Sequence, residues 1–334
     1  MKLTLLLLLA LMPAPWACAQ TTAAAPKAAP ATPGHPFACT DYTQGKVFIV
    51  SKEGKVEWEY PAPTCNDLTV LPNGNLLFNT GHGVQEVTRA KEVVFDYQSK
   101  SEIYACQRLP DGNTFVGESN SGRLLTVSPK GEIVHEVKLL PEGKDAGHAF
   151  MRNSRLLENG HYLVTLYGDR VVKEYDATGK VLREIPAPGG PHSVIRLPNG
   201  NTVISCGDNQ GVPGVIEVDP QGKTVWQVHG DDVPGVSLKF VAGIRRLANG
   251  NTLICNWLGH GQFGKSAHLI EVTPDKRAVW SYADHEAMRT ISNAVLLDEP
   301  KAAPAPKTAP ALKTAPALKA APALKAAPGL RKTP

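Results

Sequence analysis

The sequence repeats one short turn motif, and the interval between its copies limits what the chain can fold into. In the copy at 196–205, Pro198-Asn199-Gly200 lies between two apolar segments. Proline presets its own φ, and Asn and Gly tolerate positive φ, so the motif predicts a tight turn between antiparallel strands. The leucine of each copy is Leu71, Leu109, Leu157, Leu197 or Leu247, at intervals of 38, 48, 40 and 50 residues. Such a period, built only of strands, is typical of β-propeller blades.

A second repeated segment alternates polar and apolar residues, which predicts an outer strand with one buried face. It occurs six times, at 54–60, 91–97, 131–137, 179–185, 222–228 and 276–282. The five turns leave one inner strand missing, and the apolar segment 288–297 is left over. We therefore predict an all-β, six-bladed propeller of four-stranded antiparallel blades. The C-terminal strand closes the ring by pairing with the N-terminal strands.

The predicted propeller spans residues 37–299, and its five internal blades are expected to begin near 65, 103, 148, 192 and 240. Residues 1–19 resemble a signal peptide, with a short apolar run and an Ala17-Cys18-Ala19 cleavage site. We therefore expect export to the periplasm or the extracellular space. Cys18 suggests a lipoprotein as the alternative, but Pro15 and Trp16 do not fit a lipobox. Residues 20–36 form an Ala/Pro-rich linker.

Residues 300–334 form a tail in which a Lys/Ala/Pro-rich unit of six residues repeats. Its proline content excludes an α-helix and favours polyproline II, so the tail is predicted to be disordered. A period of six returns each basic residue to one face of that helix, about 19 Å from the last. Two interpretations follow. The tail is a solvated spacer, or it binds an anionic envelope polymer or membrane surface.

The charge of the whole chain, +4, hides an acidic folded part. Residues 37–299 hold 26 Lys and Arg against all 31 Asp and Glu, a net charge of −5. They show no basic stripe with interleaved aromatic residues, so we predict no nucleic-acid partner. Five cysteines follow the signal segment: Cys39, Cys65, Cys106, Cys206 and Cys255. Export permits disulfides, and the pairs Cys39–Cys65 and Cys206–Cys255 are plausible near one face of the ring.

Propeller topology sorts the loops onto two faces. The turn face carries the short turns between first and second strands and between third and fourth strands. The mouth face carries the inter-blade loops and the loops between second and third strands, which are long and irregular. Because variable loops on a rigid scaffold usually carry function, we expect the site on the mouth face. Seven of the ten histidines fall in or beside these loops: His82, His148, His192, His229, His260, His268 and His285.

The first residues of the innermost strands are predicted to line the channel mouth. Aligned on the turn leucines, these positions hold Asn66, Tyr104, Arg152, His192, Ala242 and, in the closing blade, Arg289. With His82, His148 and His260, this ring would suit a small anionic or hydrogen-bonding ligand, or a protein partner. The alternative is that these side chains bind only water. No CxxC, HxH or HExxH spacing occurs, so no metal and no cofactor are predicted, and a monomer is expected.

The paired motifs R-L-P-N-G-N-T-V-I (196–204) and E-V-D-P-Q-G-K-T-V-W (217–226) resemble bacterial arylsulfotransferase-like and quinoprotein-like (PQQ-like) propellers. Arylsulfotransferases use a channel histidine as a transient sulfate acceptor. The resemblance implies that His192 would be the nucleophile, with His148, Arg152 and His260 as its helpers. These motifs are turn and packing motifs, so they indicate architecture more specifically than activity.

Three functions are consistent with these observations. The first is an exported propeller that binds a ligand or partner at its histidine-rich mouth. The second is an enzyme of the arylsulfotransferase or hydrolase type that uses a channel histidine. The third is an envelope scaffold attached by its cationic tail.

Overall fold

The computed structural model describes residues 34–208 and 211–300, and every helix or strand in these ranges is a β-strand. Six antiparallel sheets of four strands form a ring, which confirms the predicted fold. No helix in the described ranges could therefore cross a membrane. The predicted signal peptide, nearly all of the linker and residues 301–334 of the tail lie outside these ranges and stay predictions.

The four strands of each blade follow one another from the ring axis outward. Blade 1 consists of β24 (Ile291–Leu296), β1 (Phe37–Asp41), β2 (Lys46–Val50) and β3 (Val56–Pro61). Blade 2 consists of β4 (Leu68–Val70), β5 (Leu76–Asn79), β6 (Gly83–Val87) and β7 (Val93–Gln98). Blade 3 consists of β8 (Ile103–Arg108), β9 (Thr114–Glu118), β10 (Arg123–Val127) and β11 (Ile133–Lys138).

The second half of the ring follows the same plan. Blade 4 consists of β12 (Arg155–Leu156), β13 (Tyr162–Leu166), β14 (Val171–Tyr175) and β15 (Val181–Pro186). Blade 5 consists of β16 (Pro191–Arg196), β17 (Thr202–Cys206), β18 (Gly214–Val218) and β19 (Thr224–His229). Blade 6 consists of β20 (Val241–Arg246), β21 (Thr252–Asn256), β22 (Leu269–Val272) and β23 (Ala278–Tyr282).

The ring closes in blade 1, where the two ends of the propeller meet. β1 pairs with β24 in the register Phe37↔Leu296, so the C-terminal strand is innermost, as predicted. Blade 4 differs from its expected start near 148, because its first strand begins only at Arg155. The residues before it run along the mouth, where isolated bridges join Met151 to Leu166 and Asn153 to Ser193. This irregular segment brings polar side chains to the mouth.

The hydrophobic cores lie between neighbouring blades. At the closing interface, Phe37 of blade 1 packs edge-on against Tyr282 and Trp280 of blade 6, with ring centroids 4.9 and 6.1 Å apart. Met288, just before β24, is fully buried in the same core. The alternating outer strands therefore use their inward-facing aromatic residues for packing between blades.

Arginine–glutamate pairs connect three blade interfaces near the turn face. Each arginine ends an innermost strand and reaches a glutamate in the third strand of the preceding blade. The pairs are Arg108–Glu86, Arg196–Glu174 and Arg246–Glu217, at 2.6–2.7 Å. Between blades 1 and 2 the same register positions hold Ile49 and Val70, which share one apolar core. These arginines therefore act between blades and not at the mouth.

The closing interface uses a histidine in place of that arginine. Nε2 of His35 lies 3.2 Å from Glu271, and its Nδ1 lies 2.8 Å from Asp298. His35 also packs edge-on against Trp280, with ring centroids 5.1 Å apart. The segment before β1 is therefore bonded both to blade 6 and to the residues after β24.

Side chains that cross the axis fill the channel below the mouth. Arg155 of blade 4 donates to both oxygens of buried Asp67, beside blade 2, at 2.7 and 2.9 Å. Asn293 Nδ2 and the Cys106 backbone N–H donate to the same carboxylate. Arg245 of blade 6 donates to the carbonyl of Leu68. The bonds of Arg155 and Arg245 join blades that are not neighbours, so these side chains extend across the axis of the ring.

The two disulfides that the sequence left open near the mouth are not formed. All five cysteines are free and buried: Cys39, Cys65, Cys106, Cys206 and Cys255. Cys39 lies in the core between blades 1 and 6, whereas Cys65 lies between blades 1 and 2. Cys206 faces the core between blades 4 and 5, whereas Cys255 faces that between blades 6 and 1. Alternate residues of a strand face opposite sides of its blade, so proximity along the ring does not bring the thiols together.

Candidate functional site

Arg152 lies at the centre of the mouth between two tyrosine rings. Its guanidinium carbon is 4.4 Å from the ring centroid of Tyr104 and 4.7 Å from that of Tyr167. Tyr104 comes from the start of β8, and Tyr167 from the loop after β13. Cation–π contacts on both faces hold the planar guanidinium in one orientation. The irregular start of blade 4 thus delivers a fixed cation to the mouth.

This cation is buried without a carboxylate bonded to it. Arg152 is 6% exposed, and its Nη1 donates to the backbone carbonyls of His148 and Met151. Its Nε and Nη2 make no hydrogen bond to any residue that the structure describes. Burial lowers the pKa of Arg152, while Tyr104 and Glu102 act through space in the opposite direction. A guanidinium stays protonated under these conditions, so the N–H groups of two nitrogens, Nε and Nη2, are available to a ligand.

His192 lies beside this arginine and is 4% exposed. Its Nδ1 is buried and has no hydrogen-bond partner among the described residues. Burial lowers the pKa of His192 well below its usual range, and the charge of Arg152 lowers it further. The imidazole is therefore neutral at physiological pH and offers one donor and one acceptor.

Phe240 connects His192 to a wall of aromatic rings. The ring of Phe240 lies 5.7 Å from His192, 4.9 Å from Trp257 and 6.3 Å from Tyr167. Tyr42 extends this wall by an edge contact with Trp257 at 6.1 Å. The rings come from blades 1, 4, 5 and 6, so only the closed ring assembles them.

Glycines make the space for this wall. A Cβ at Gly207 would lie 2.5 Å from the Phe240 ring, and one at Gly190 would lie 2.5 Å from Tyr167. A Cβ at Gly259 would lie 2.1 Å from Trp257. Real Cβ atoms do not approach other atoms so closely, so these positions require glycine while the rings stay where they are.

A histidine–carboxylate pair flanks Arg152 on the blade 3 side. Nδ1 of His148 lies 2.8 Å from the Glu102 carboxylate, to which it donates, and 3.1 Å from the Tyr104 hydroxyl. Tyr104 is also hydrogen bonded to Tyr42, and burial raises its pKa. When a carboxylate holds Nδ1–H, Nε2 of the imidazole is left as a base.

A second such pair lies on the blade 5 and blade 6 side. Nδ1 of His260 lies 3.0 Å from Asp208, and the His260 ring packs edge-on against Trp257 at 4.9 Å. Asp208 also accepts a hydrogen bond from Tyr167; burial, followed by this carboxylate, raises the pKa of Tyr167 to about 12. His260 adopts a positive φ of 49°, which turns the loop back over the wall.

The structure brings together five of the residues expected from the sequence: Tyr104, His148, Arg152, His192 and His260. Asn66 is buried, but its side chain donates to Thr64 and its carbonyl accepts from Asn153, so it is occupied by the scaffold. His82 is exposed, and no described side chain bonds to it. Arg289 is exposed and lies over Phe263 at 4.9 Å, in a separate group that includes His285.

Sequence reasoning missed the acidic and aromatic members of the site: Glu102, Asp208, Tyr42, Tyr167, Phe240 and Trp257. A signal was present, because Tyr42, Tyr167, Asp208 and Trp257 each follow the second strand of a blade directly or within two residues. That position begins the loop from second to third strand, which always lies on the mouth face. Aligning these loops as well as the innermost strands would have found them.

Two shallow hollows lie elsewhere on the surface. One of ≈ 400 Å³ is lined by Tyr60, Pro61 and Gln85, and another of ≈ 390 Å³ by residues including Asp231 and Lys265. Neither is lined by a buried charged side chain, whereas the mouth contains Arg152. Within the described ranges, no group of three or more His, Cys, Asp or Glu side chains could hold a metal ion.

Comparison with known proteins supports the architecture. A protein of unknown function from Bacteroides caccae is 27% identical, and the match covers 78% of this chain and 98% of that one, with a TM-score of 0.71. A streptogramin B lyase is 16% identical over 76% of this chain and 86% of its own, with a TM-score of 0.52. The WD40 propeller of Doa1 is 12% identical over 78% and 83%, with a TM-score of 0.53.

No protein-family model and no curated protein matches the chain. The lyase and Doa1 share the fold alone at their level of identity. The six-bladed propeller predicted from the repeated turns and strands is thus confirmed, whereas the comparisons do not show the specific resemblance to arylsulfotransferase-like or PQQ-like propellers.

Proposed function

We propose that the mouth binds a small aromatic anion, such as an aryl carboxylate, aryl sulfate or aryl phosphate. The observation that carries this proposal is Arg152, a buried cation with two unbonded nitrogens and no bonded carboxylate. A buried charge is costly without a hydrogen-bonded partner of opposite sign, and an oxyanion would supply one. The guanidinium fork matches carboxylate, sulfate and phosphate oxygens.

The aromatic wall supports a ring in the rest of the ligand. Phe240 contacts Trp257, Tyr167 and His192, and Tyr167 in turn lies against Arg152. Offset or edge-on contacts with such rings favour a planar apolar group. Neutral His192 adds a hydrogen-bonding group that does not change charge near pH 7.

The two carboxylates at the mouth are compatible with an anionic ligand because each has a histidine partner. Glu102 is bonded to His148, and Asp208 to His260 and Tyr167. Each of these carboxylates therefore already has a hydrogen-bond partner other than Arg152. Arg152 remains the charged group without an anionic partner.

Titration calorimetry of the intact chain tests the proposal. Phenyl phosphate, 4-nitrophenyl sulfate and benzoate are the probes, with benzamide and benzyl alcohol as uncharged controls. We expect saturable binding of at least one anionic probe and much weaker binding of the uncharged compounds. Arg152→Met should weaken affinity about 10- to 100-fold, the value of a lost charged hydrogen bond. Phe240→Leu should weaken it less, and the exposed control Arg289→Met should leave it unchanged.

Two results would contradict the proposal. One is the absence of saturable binding for every anionic aryl probe at millimolar concentration. The other is an Arg152→Met variant that binds as tightly as the parent while its unfolding curve is unchanged.

A second candidate function is an enzyme that turns over aryl sulfates or other aryl esters, as the resemblance to arylsulfotransferases implies. The observation that favours it is the His148–Glu102 pair, which has the geometry of an oriented general base beside Arg152. Turnover of 4-nitrophenyl sulfate with a phenol acceptor, and of 4-nitrophenyl acetate, tests it. Loss of turnover in His192→Ala would favour His192 as the nucleophile. Loss of turnover in His148→Ala or Glu102→Gln would favour His148 as the general base. Absence of turnover across the panel removes this candidate and leaves the binding proposal to calorimetry.

We also propose that the chain is exported and cleaved after Ala19. The apolar segment and the cleavage pattern of residues 1–19 support this. Mass spectrometry of the chain recovered from the envelope and the medium of the expressing cells tests this proposal. A mature N-terminus at Gln20 is the expected result, and an acylated Cys18 would indicate the lipoprotein alternative instead.

A further inference from the structure

The outermost strands carry exposed apolar side chains near their first residues, and these form a repeating feature of the rim. We call them the rim belt: Val94, Val134, Leu182, Val225 and Val279, in blades 2 to 6. They are 36–56% exposed. Each is the second residue of its outermost strand, and blade 1 holds Glu57 at that position. Five equivalent apolar side chains on five successive blades are more regular than the scattered apolar residues of an ordinary surface.

Acidic residues accompany the belt in three consecutive blades. Two residues beyond the belt position, and exposed as the belt residues are, lie Asp96, Glu136 and Glu184. Glu184 is 2.7 Å from Lys173, and Glu136 is 3.3 Å from Arg123, yet both side chains keep exposed area. Blades 2, 3 and 4 thus each present an apolar side chain followed by a carboxylate. Blades 5 and 6 have Gln227 and Ser281 at the acidic position.

The tail carries the complementary pattern. Its leucines recur every six residues, and a basic residue follows each one: Leu312-Lys313, Leu318-Lys319, Leu324-Lys325 and Leu330-Arg331. Residues 301–334 contain seven basic residues and no acidic residue, against a net charge of −5 for the propeller. In polyproline II the leucines would share one face at intervals of about 19 Å.

The tail begins at the end of the molecule where the belt lies. β24 is an innermost strand, so it starts at the mouth face and ends at the turn face, where the outermost strands begin. Three strand spacings place the outermost strand about 14 Å outside the innermost one. In a six-membered ring, the distance between neighbours equals their distance from the axis. The distance of a belt position from the axis is this spacing of about 14 Å plus the radius of the channel. Adjacent belt positions are therefore about 20 Å apart.

The first repeat unit has the length needed to reach the rim. Residues 301–306 contain no leucine, and in polyproline II they would span about 19 Å. They could therefore extend from the end of blade 1 to its outer edge. The leucines at 312, 318 and 324 would then meet blades 2, 3 and 4 in turn. These are the three blades that carry the exposed carboxylates.

We propose that the tail docks on the rim of its own propeller. Leu312, Leu318 and Leu324 contact the belt residues of blades 2, 3 and 4, and the lysine after each leucine pairs with the carboxylate of that blade. The repeat length of six is set by the spacing of the blades. Docking covers exposed apolar surface and places positive charge on an acidic molecule.

Zero-length carbodiimide cross-linking of the intact chain tests this, because it joins a lysine to a carboxylate only when the two are in contact. The expected result is a set of links, within the monomer, in matching order: Lys313 to Asp96, Lys319 to Glu136 and Lys325 to Glu184. Replacing the four tail leucines by serine keeps every charge and should lower the yield of all three links about fivefold or more. Leu182→Ser, at an exposed position, should lower only the link to Glu184.

Other outcomes overturn the docking proposal. Links found only in dimers would mean that the tail binds a second copy. Links scattered over Glu142, Asp145 and other exposed acids, unaffected by the leucine substitutions, would mean unspecific attraction. If no links form and the tail lysines become protected only on anionic phosphatidylglycerol vesicles, the tail is a membrane contact instead.

Discussion

At the residue scale, the mouth is defined by side chains whose chemistry depends on what surrounds them. Arg152 would be an ordinary surface cation if Tyr104 and Tyr167 did not enclose it. His192 would titrate near neutral pH if burial and Arg152 did not keep it uncharged. The same residue types elsewhere in the chain, such as exposed His82 and Arg289, have no such setting. Identity alone therefore does not mark a functional residue in this protein.

Gly207 should be needed for the position of the Phe240 ring. Its φ is not in the left-handed region, so Gly207→Ala adds a methyl group 2.5 Å from that ring without backbone strain. We expect a loss of about 1–3 kcal/mol in the free energy of unfolding from overpacking, and altered fluorescence of Trp257, which contacts Phe240. Gly168→Ala, where the nearest atom is 3.4 Å away, is the matched control and should cost much less.

Shortening the ring should relieve that clash. The double variant Gly207→Ala/Phe240→Leu is expected to lose less free energy of unfolding than the two single variants lose together, as measured by urea unfolding. Strict additivity would contradict the contact.

His268 should contribute to the pH dependence of stability. It is fully buried beside His285. Burial, and then the neighbouring His285, lower the pKa of His268 to about 4, and the opposing effects of Asp41 and Asp284 are weaker. The unfolded chain then binds a proton near pH 6.5 that the folded chain does not. Stability is full above pH 6.5 and falls as the pH drops toward 4, by about 3 kcal/mol for this group.

A comparison of pH profiles isolates this effect. Urea unfolding of the parent and of His268→Gln between pH 7.5 and 4 should show a smaller loss in the variant, because glutamine does not titrate. Parallel profiles would show that His268 is protonated equally in the folded and unfolded states. His192 has the same sign of shift and should keep part of the dependence in both proteins.

At the element scale, neighbouring blades are joined by a contact whose chemistry differs from one interface to another. Three interfaces use an arginine and a glutamate, whereas blades 1 and 2 use Ile49 and Val70 at the same register positions. The closing interface uses His35 with Glu271. A largely buried ion pair and an apolar pair can replace each other when both partners change together, because a single change leaves a charge without its partner.

Exchanging one version for the other should therefore show strong coupling. Glu217→Ile or Arg246→Val alone should each cost about 2 kcal/mol in the free energy of unfolding. The double variant, which copies the contact of blades 1 and 2, should recover at least about 1 kcal/mol of the summed loss. A double-mutant cycle by urea unfolding measures this, and a coupling energy near zero would contradict the interpretation.

At the scale of the whole molecule, closure by β24 should decide whether the ring folds. β24 supplies Ile291, Ala294 and Leu296 to the core shared by blades 1 and 6. A chain that ends at residue 287 lacks this strand and exposes the edge of β1, so we expect it to lose cooperative unfolding and near-ultraviolet circular dichroism. A chain that ends at residue 300 is the control and should keep both.

A peptide can restore the missing strand. Adding residues 288–297 as a synthetic peptide should recover the cooperative transition of the shortened chain in a concentration-dependent way. A shortened chain that unfolds like the control without the peptide would show that closure is not needed for folding.

The sequence by itself determined the scaffold of this protein. Turn chemistry such as Pro198-Asn199-Gly200 acts over a few residues, and period-two alternation marks each outer strand, so local patterns were enough for the blades. The mismatch between six outer strands and five turns was enough to predict that the C-terminal strand closes the ring. These features are legible because each depends on residues that are close together in the chain.

Only the tertiary structure decided which side chains meet. Tyr42 meets Trp257 because ring closure brings blades 1 and 6 together, and Gly207 and Gly259 leave the space that Phe240 and Trp257 need. Alternation along the strands sent the two thiols of each predicted pair, Cys39–Cys65 and Cys206–Cys255, into different cores, which no spacing in the sequence reveals. Local physics fixes turns and strands, whereas a site assembled from several blades depends on contacts that form only when the ring is complete.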